Sequence, residues 1–181
     1  MRVIAGRERG RRLQTVSGVN TRPTTDRVKE ALFNIIGNSI YDASFLDLFA
    51  GNGGIGIEAL SRGAKMAVFV EKSRLCTKTI TLNLTITSFL DRSEVITKDV
   101  ISGLRLLGSR DKKFDFIFLD PPYGHGLIEQ TLHSIGKYGL LTGNGLVVCE
   151  HSTKEEILKL VLNLSRVRTV NYGDTALGFY R

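Results

Sequence analysis

The sequence predicts an α/β fold: a three-layer sandwich with helices on both faces of a mostly parallel sheet, closed at one edge by an antiparallel hairpin. Three observations predict it. From Phe45 onward, short apolar runs alternate with amphipathic stretches of helical length. A glycine-rich turn, GNGGIG, joins the first run to the first such stretch. The last two runs lie only about two residues apart, too close for anything but a hairpin.

The elements follow in chain order. Val3 to Ala5 and Arg12 to Val16 flank GRERG, which reads as a hairpin carrying its arginines at the tip. Val28, Ala31, Leu32, Ile35 and Ile36 recur at helical spacing, giving an amphipathic helix capped by Thr25 or Asp26 and stopped near Gly37. Strands are expected at 45–49, 67–71, 94–97, 114–119 and 145–150, and helices near 54–62, 74–87, 100–107, 127–138 and 153–163. Such alternation implies βαβ units and a sheet buried on both faces. The closing hairpin takes Val167 to Tyr172 and Thr175 to Tyr180. The 181 residues read as one domain: a basic hairpin and helix over 1–40, then an α/β core over 41–181.

Composition narrows the function. No apolar run approaches the roughly 18 residues of a membrane span, and the first residues, MRVIAGRERGRR, lack the apolar core of a signal peptide. A cytoplasmic protein is therefore expected, with Cys76 and Cys149 reduced in the core. His125, His133 and His151 have no ligand-like spacing, so no metal site is expected. Of the net charge of +7, residues 1–30 supply +5, from eight Arg or Lys against three acids. A near-neutral body with a basic arm is what one face meeting a polyanion requires, and Arg7, Arg9, Arg11, Arg12, Arg22 and Arg27 are its candidate nucleic-acid contacts.

The glycine turn, Gly51 to Gly56, is a GxGxxG pattern, and Glu71 follows Gly51 by twenty residues at the end of the second strand. Glycines for close backbone approach and an acid for ribose hydroxyls suit a dinucleotide, and equally any other adenosine-bearing cofactor. Two acids favour S-adenosylmethionine over NAD. Asp47 lies inside the first strand, where an ammonium-bearing ligand gives a carboxylate something to hold. Asp99 ends the third strand, either to accept from an adenine amino group or merely to cap the next helix. Strand ends on such sheets line a single ligand-binding rim, which Ala50–Gly56, Glu71, Asp99 and Asp120 would share.

Two of the chain's three prolines follow the fourth strand in Asp120-Pro121-Pro122-Tyr123. Proline cannot donate to a ladder and holds its neighbour extended, so this is a rigid step at the rim. A planar exocyclic amine is a poor nucleophile because its lone pair is delocalised. Two acceptors on its N–H bonds favour the pyramidal form. Asp120 and the Pro121 carbonyl can be those acceptors, and Tyr123 a face on which a base is stacked. The competing reading is a rigid turn with Asp120 as a helix cap. His125, a lone loop histidine, is left out of the catalytic set.

These residues together resemble the class I S-adenosylmethionine-dependent methyltransferases of Rossmann-like fold, and more closely the bacterial 16S rRNA guanine-N2 methyltransferases of the RsmD type. The resemblance runs through RVIAGRERGRRL, TRPTTDRVKEALFNII, DLFAGNGGIGIEALSRGA, VFVEKS, FDFIFLDPPY and YGDTALGFYR. It implies a seven-stranded sheet and a monomeric, metal-free enzyme that methylates one guanine amine of small-subunit rRNA during assembly. By position, Asp47 and the 50–56 loop, with Ala50, Gly51, Gly53 and Gly56, would take the methionine part of S-adenosylmethionine, and Phe49, Lys72 and Val100 join the cofactor-binding set. Glu71 would take its ribose, and Asp99 its adenine. Arg22 and Thr24 would border the site, and Asp120 to Tyr123 would hold the guanine. Asn52 and Gly54 depart from the Ser or Thr and the Ala that the resemblance leads one to expect. The acid-proline-proline-aromatic step by itself identifies an amine; adenine-N6, cytosine-N4 and glutamine amides are the alternatives, and NAD(P) oxidoreduction is the alternative chemistry for the glycine turn alone.

Overall fold

The computed structural model describes residues 1–16, 26–122 and 126–181. Its helices are α1 (Asp26–Ile36), α2 (Gly54–Ser61), α3 (Arg74–Ile86), α4 (Val100–Ser109) and α5 (Leu127–Lys137). Its strands are β1 (Ser44–Leu48), β2 (Met66–Glu71), β3 (Ser93–Thr97), β4 (Phe114–Leu119), β5 (Leu141–Ser152), β6 (Leu160–Val161), β7 (Leu164–Tyr172) and β8 (Thr175–Tyr180). The strands join in the order β3-β2-β1-β4-β5-β8-β7-β6. The pairs from β3 to β5 are parallel, whereas β8, β7 and β6 add antiparallel. Seven strands and the edge hairpin are as expected; the eighth is the two-residue β6.

Near-continuous apolar runs make β1, β2 and β4 buried on both faces. One face (Phe45, Phe69, Phe116, Phe118, Val148, Phe179) packs under α1, α2, α3 and the N-terminal hairpin. The other (Leu46, Leu48, Val68, Val70, Ile117, Leu119) packs under α4, α5 and residues 157–164. The strand order reverses between β1 and β4, and in a sheet of this kind a crevice opens there beyond the carboxyl ends.

The expected helix over 153–163 is absent. β5 runs on to Ser152, the chain turns, and β6 pairs with β7 through Leu160–Ser165 and Val161–Leu164. Ile157, Val161 and Leu164 are buried. Their i, i+4, i+7 spacing imitates a helical stripe, but Leu162 at φ +52 is the turn of a tight hairpin. The closing strand is longer than expected, because Leu164 and Ser165 extend β7. No described helix is long and apolar enough to cross a membrane. Cys76 and Cys149 are buried, free thiols.

The N-terminal hairpin forms, bridged at Arg2 and Arg12 with Val3 and Leu13 buried. It is not a loose arm. Glu58, fully buried on α2, accepts from the Ile4 and Ala5 amides at 2.8 and 2.9 Å. Ser61 Oγ accepts from Glu8 N and donates to the Ala5 carbonyl. Gly6 lies so near Ser61 that a Cβ would fall 1.9 Å from its carbonyl oxygen, so only glycine fits there. Lys29, 2% exposed on α1, reaches Glu58 at 3.6 Å and donates to the Arg2 carbonyl at 2.6 Å. Arg62 closes the network on Glu58 at 2.8 Å.

Candidate active site

Strand register sets the rim. Leu48 pairs with Val70 of β2 and with Leu119 of β4, so Phe49, Glu71 and Asp120 leave the sheet at one level on three adjacent strands. Glu71 pairs with Thr97 of β3, and Asp99 stands two residues further along. The sequence therefore placed these acids correctly relative to one another.

The turn after β1 is sharp. Phe49, Gly51 and Gly53 have φ of +58, +53 and +80. A bulky residue in the left-handed region is strained by about 1–2 kcal/mol, and Phe49 carries that strain at the point where the chain swings over the strand ends. Ala50 N donates to Val70 O, and Gly53 N to Ala50 O at 2.7 Å, closing the loop. Each glycine answers to a different constraint. A Cβ on Gly56 would lie 2.3 Å from the Phe69 ring, so its bare backbone lets α2 sit close on β2. On Gly51, among the described residues, a Cβ would meet only the Phe49 carbonyl oxygen, 4.0 Å away. α2 begins at Gly54 with Gly53 as its N-cap, a residue with no side chain of its own to cap the helix.

Two acids brace this loop. Glu71 accepts from Gly51 N at 3.0 Å and from Ser73 N at 2.8 Å, tying the loop to the end of β2. Asp47 is buried beneath it and accepts from Gly56 N at 2.8 Å. Burial pushes the Asp47 carboxyl up to about 8, against the pull of the Gly56 amide, with the Glu71 charge adding to the rise. Asp99 is exposed and caps α4 by accepting from Ser102 N at 3.0 Å, the contact that lowers its pKa. The capping reading of Asp99 is therefore realised in this structure. Lys72 is exposed, and Val100 and Ala50 are buried.

Asp120 is partly buried at the end of β4, Pro121 is buried and Pro122 exposed. The N-cap of α5 is Gly126. Arg22, Thr24, Thr25, Tyr123 and His125 lie outside the described residues. Arg7, Arg9, Arg11, Arg12 and Arg27 are exposed, with Arg7 and Arg11 beside Glu8. Among the described residues no cluster of His, Cys, Asp and Glu could hold a metal ion.

Sequence reasoning missed Glu58, Lys29 and Asn83. Each had a signal: an acid inside the apolar run GIGIEAL, a lysine on the apolar face of α1, and an asparagine, a poor helix former, in the middle of α3.

The family model described as "Conserved hypothetical protein 95" matches residues 1–181. The chain is 40% identical over 181 residues to "Putative rRNA methyltransferase YlbH" of Bacillus subtilis (strain 168), covering 100% of this chain and 98% of that one. It is 34% identical to "Ribosomal RNA small subunit methyltransferase D" of Escherichia coli (strain K12), covering 100% and 89%. A solved structure, "Putative methyltransferase yhhF from Escherichia coli", superposes with a TM-score of 0.87 at 35% identity, covering 99% and 96%.

Proposed function

The chain belongs to the Conserved hypothetical protein 95 family, and on that premise we propose that it methylates the exocyclic N2 amine of one guanine in 16S rRNA, with S-adenosylmethionine as donor. One observation carries the reading. The glycine loop, Glu71 and Asp120 share a single rim at the switch point of the sheet, so a cofactor and an amine can be held side by side. The whole-length match to a small-subunit rRNA methyltransferase supports RNA as the substrate.

The residues present fit the cofactor. Gly51 offers the cofactor a backbone without a side chain, and the N-terminal end of α2, where Asp47 holds the Gly56 amide, suits its carboxylate. Asp47, Phe49, Ala50, Gly53 and Gly56 shape the methionine end; Glu71 and Lys72 serve the ribose; Asp99 and Val100 serve the adenine, with Arg22 and Thr24 at the border. Bound there, S-adenosylmethionine supplies a methyl group on a positively charged sulfur. The chain's own work is to position the amine. Asp120 and the Pro121 carbonyl accept its two N–H bonds, Pro122 keeps their separation fixed, and Tyr123 holds the base flat. Positioning and electrostatics of this kind are the main sources of acceleration in a direct transfer. The methylated amine is strongly acidic and gives its proton to Asp120 or water.

The enzyme acts as a monomer, without a resident metal, in the cytoplasm. Residues 1–40 face the RNA of an assembling small subunit, and the whole chain works as one unit. The test is methyl transfer from labelled donor to immature small-subunit particles, naked 16S rRNA or DNA. Label on the rRNA is expected, and label only on DNA or protein contradicts the reading. Calorimetry is the second arm: S-adenosylhomocysteine should bind, and tight NADH binding in its place would make the chain an oxidoreductase.

A further inference from the structure

The glycine loop and the basic hairpin are stitched together by two asparagines. Asn83 on α3 is fully buried, yet its amide is engaged at both ends. Its Oδ1 accepts from Gln14 N at 2.7 Å, and its Nδ2 donates to the Gln14 and Asn52 carbonyls, each at 3.0 Å. Asn52, inside the loop, accepts with its own Oδ1 from Val16 N at 3.1 Å. The amides of Gln14 and Val16, on the return strand of the hairpin, thus end on side chains that also fix the loop. Two positions along, Met1 Sδ packs so near Gly54 that a Cβ there would sit 2.5 Å from it. At its other end α2 carries the hairpin through Glu58 and Ser61. The loop and the segment behind the arginines are thus held by the same side chains.

We propose that Asn83 and Asn52 are positioning residues that couple cofactor binding to RNA binding, so that each ligand raises the affinity of the other. The inference rests on reading the rim as the cofactor site and the hairpin as the RNA grip. Its physical basis is shared ordering. The hairpin's return strand and the loop give up freedom together, and the ligand that arrives second finds that cost already met. Reciprocity follows by linkage: the factor by which the cofactor product improves RNA binding equals the factor by which RNA improves cofactor binding. A purely structural role for the asparagines would weaken both affinities and leave their ratio alone.

The test uses the full chain, S-adenosylhomocysteine and immature small-subunit particles, each titrated in the absence and presence of the other. The native chain should show a reciprocal factor of about five or more. Asn52→Ala removes the acceptor for Val16 and should bring the factor below about two, whereas Asn52→Asp keeps an acceptor at the same reach and retains it. Asn83→Asp keeps the bond to Gln14 N, loses both donated bonds and should lower the factor; if it fails to fold, the Asn52 pair, at a half-buried position, still decides. Amide exchange gives the second readout: S-adenosylhomocysteine should slow exchange at Gln14 and Val16 in the native chain, and at Val16 no longer in Asn52→Ala. Two ligands that bind without influencing each other, or full coupling in Asn52→Ala, overturn the proposal. A chain that binds no S-adenosylhomocysteine overturns the functional reading first, and this inference with it.

Discussion

Asp120 and Asp47 differ in their surroundings: Asp120 follows the end of β4, whereas Asp47 lies inside β1, buried beneath the glycine loop. Asp120 follows β4 into a buried proline. Replacing it by alanine should lower methyl transfer at least about 10²-fold, the loss typical of one preorganised electrostatic group, while S-adenosylhomocysteine affinity stays within a few-fold. Single-turnover rates beside calorimetry check this; retained turnover would remove Asp120 from the mechanism. Asp47 lies under the loop and holds Gly56, and burial raises its pKa from about 3.8 to about 8. Between those values the folded protein keeps a proton that the unfolded chain has released. Raising the pH through this window therefore costs stability. Relative to Asp47→Asn, the native chain should lose up to about 1.4 kcal/mol per pH unit. Urea unfolding without cofactor at several pH values measures it, and parallel curves for the two proteins would show that Asp47 ionises freely.

At the scale of elements, the hairpin and α2 behave as one body because Glu58 is their common anchor. It receives two hairpin amides and faces Lys29 and Arg62 while fully buried. Burial lowers the Lys29 pKa and Glu58 opposes that fall, so Lys29 relies on its partner to stay charged. Glu58→Ala should destabilise the fold by about 3–5 kcal/mol, the cost of leaving a buried charge uncompensated. Chemical denaturation tests this, and a loss under 1 kcal/mol would mean that water replaces the carboxylate. The arginines on this anchored hairpin make a different demand. Arg11→Ala with Arg12→Ala should weaken RNA binding and flatten its salt dependence by about two phosphate contacts. Titration between low and moderate salt reads the slope, and an unchanged slope would place RNA elsewhere.

Across the whole molecule, what was legible followed from period and punctuation. β4 was read to the residue because FDFIFL is bounded by lysine before and by aspartate and proline after. α1 and α5 were placed by their stripes, and the glycine turn by its spacing. The segment 153–163 was misread because Ile157, Val161 and Leu164 bury themselves at helical spacing from a turn and two short strands. The rim was legible too, since strand ends in a parallel sheet have only one place to go. What stayed hidden were the contacts between distant segments, from Glu58 and from Asn83 to the hairpin, separated by 54 and 69 residues. No local pattern records which polar side chain will meet which backbone across such a gap.

The central claim, one guanine amine methylated on small-subunit rRNA, is tested most directly by nucleoside mass spectrometry of 16S rRNA mapped along its length. rRNA from cells lacking this gene should have lost one N2-methylguanosine at a single position, restored by the native chain and not by Asp120→Ala. A methylation pattern identical with and without the gene would contradict it.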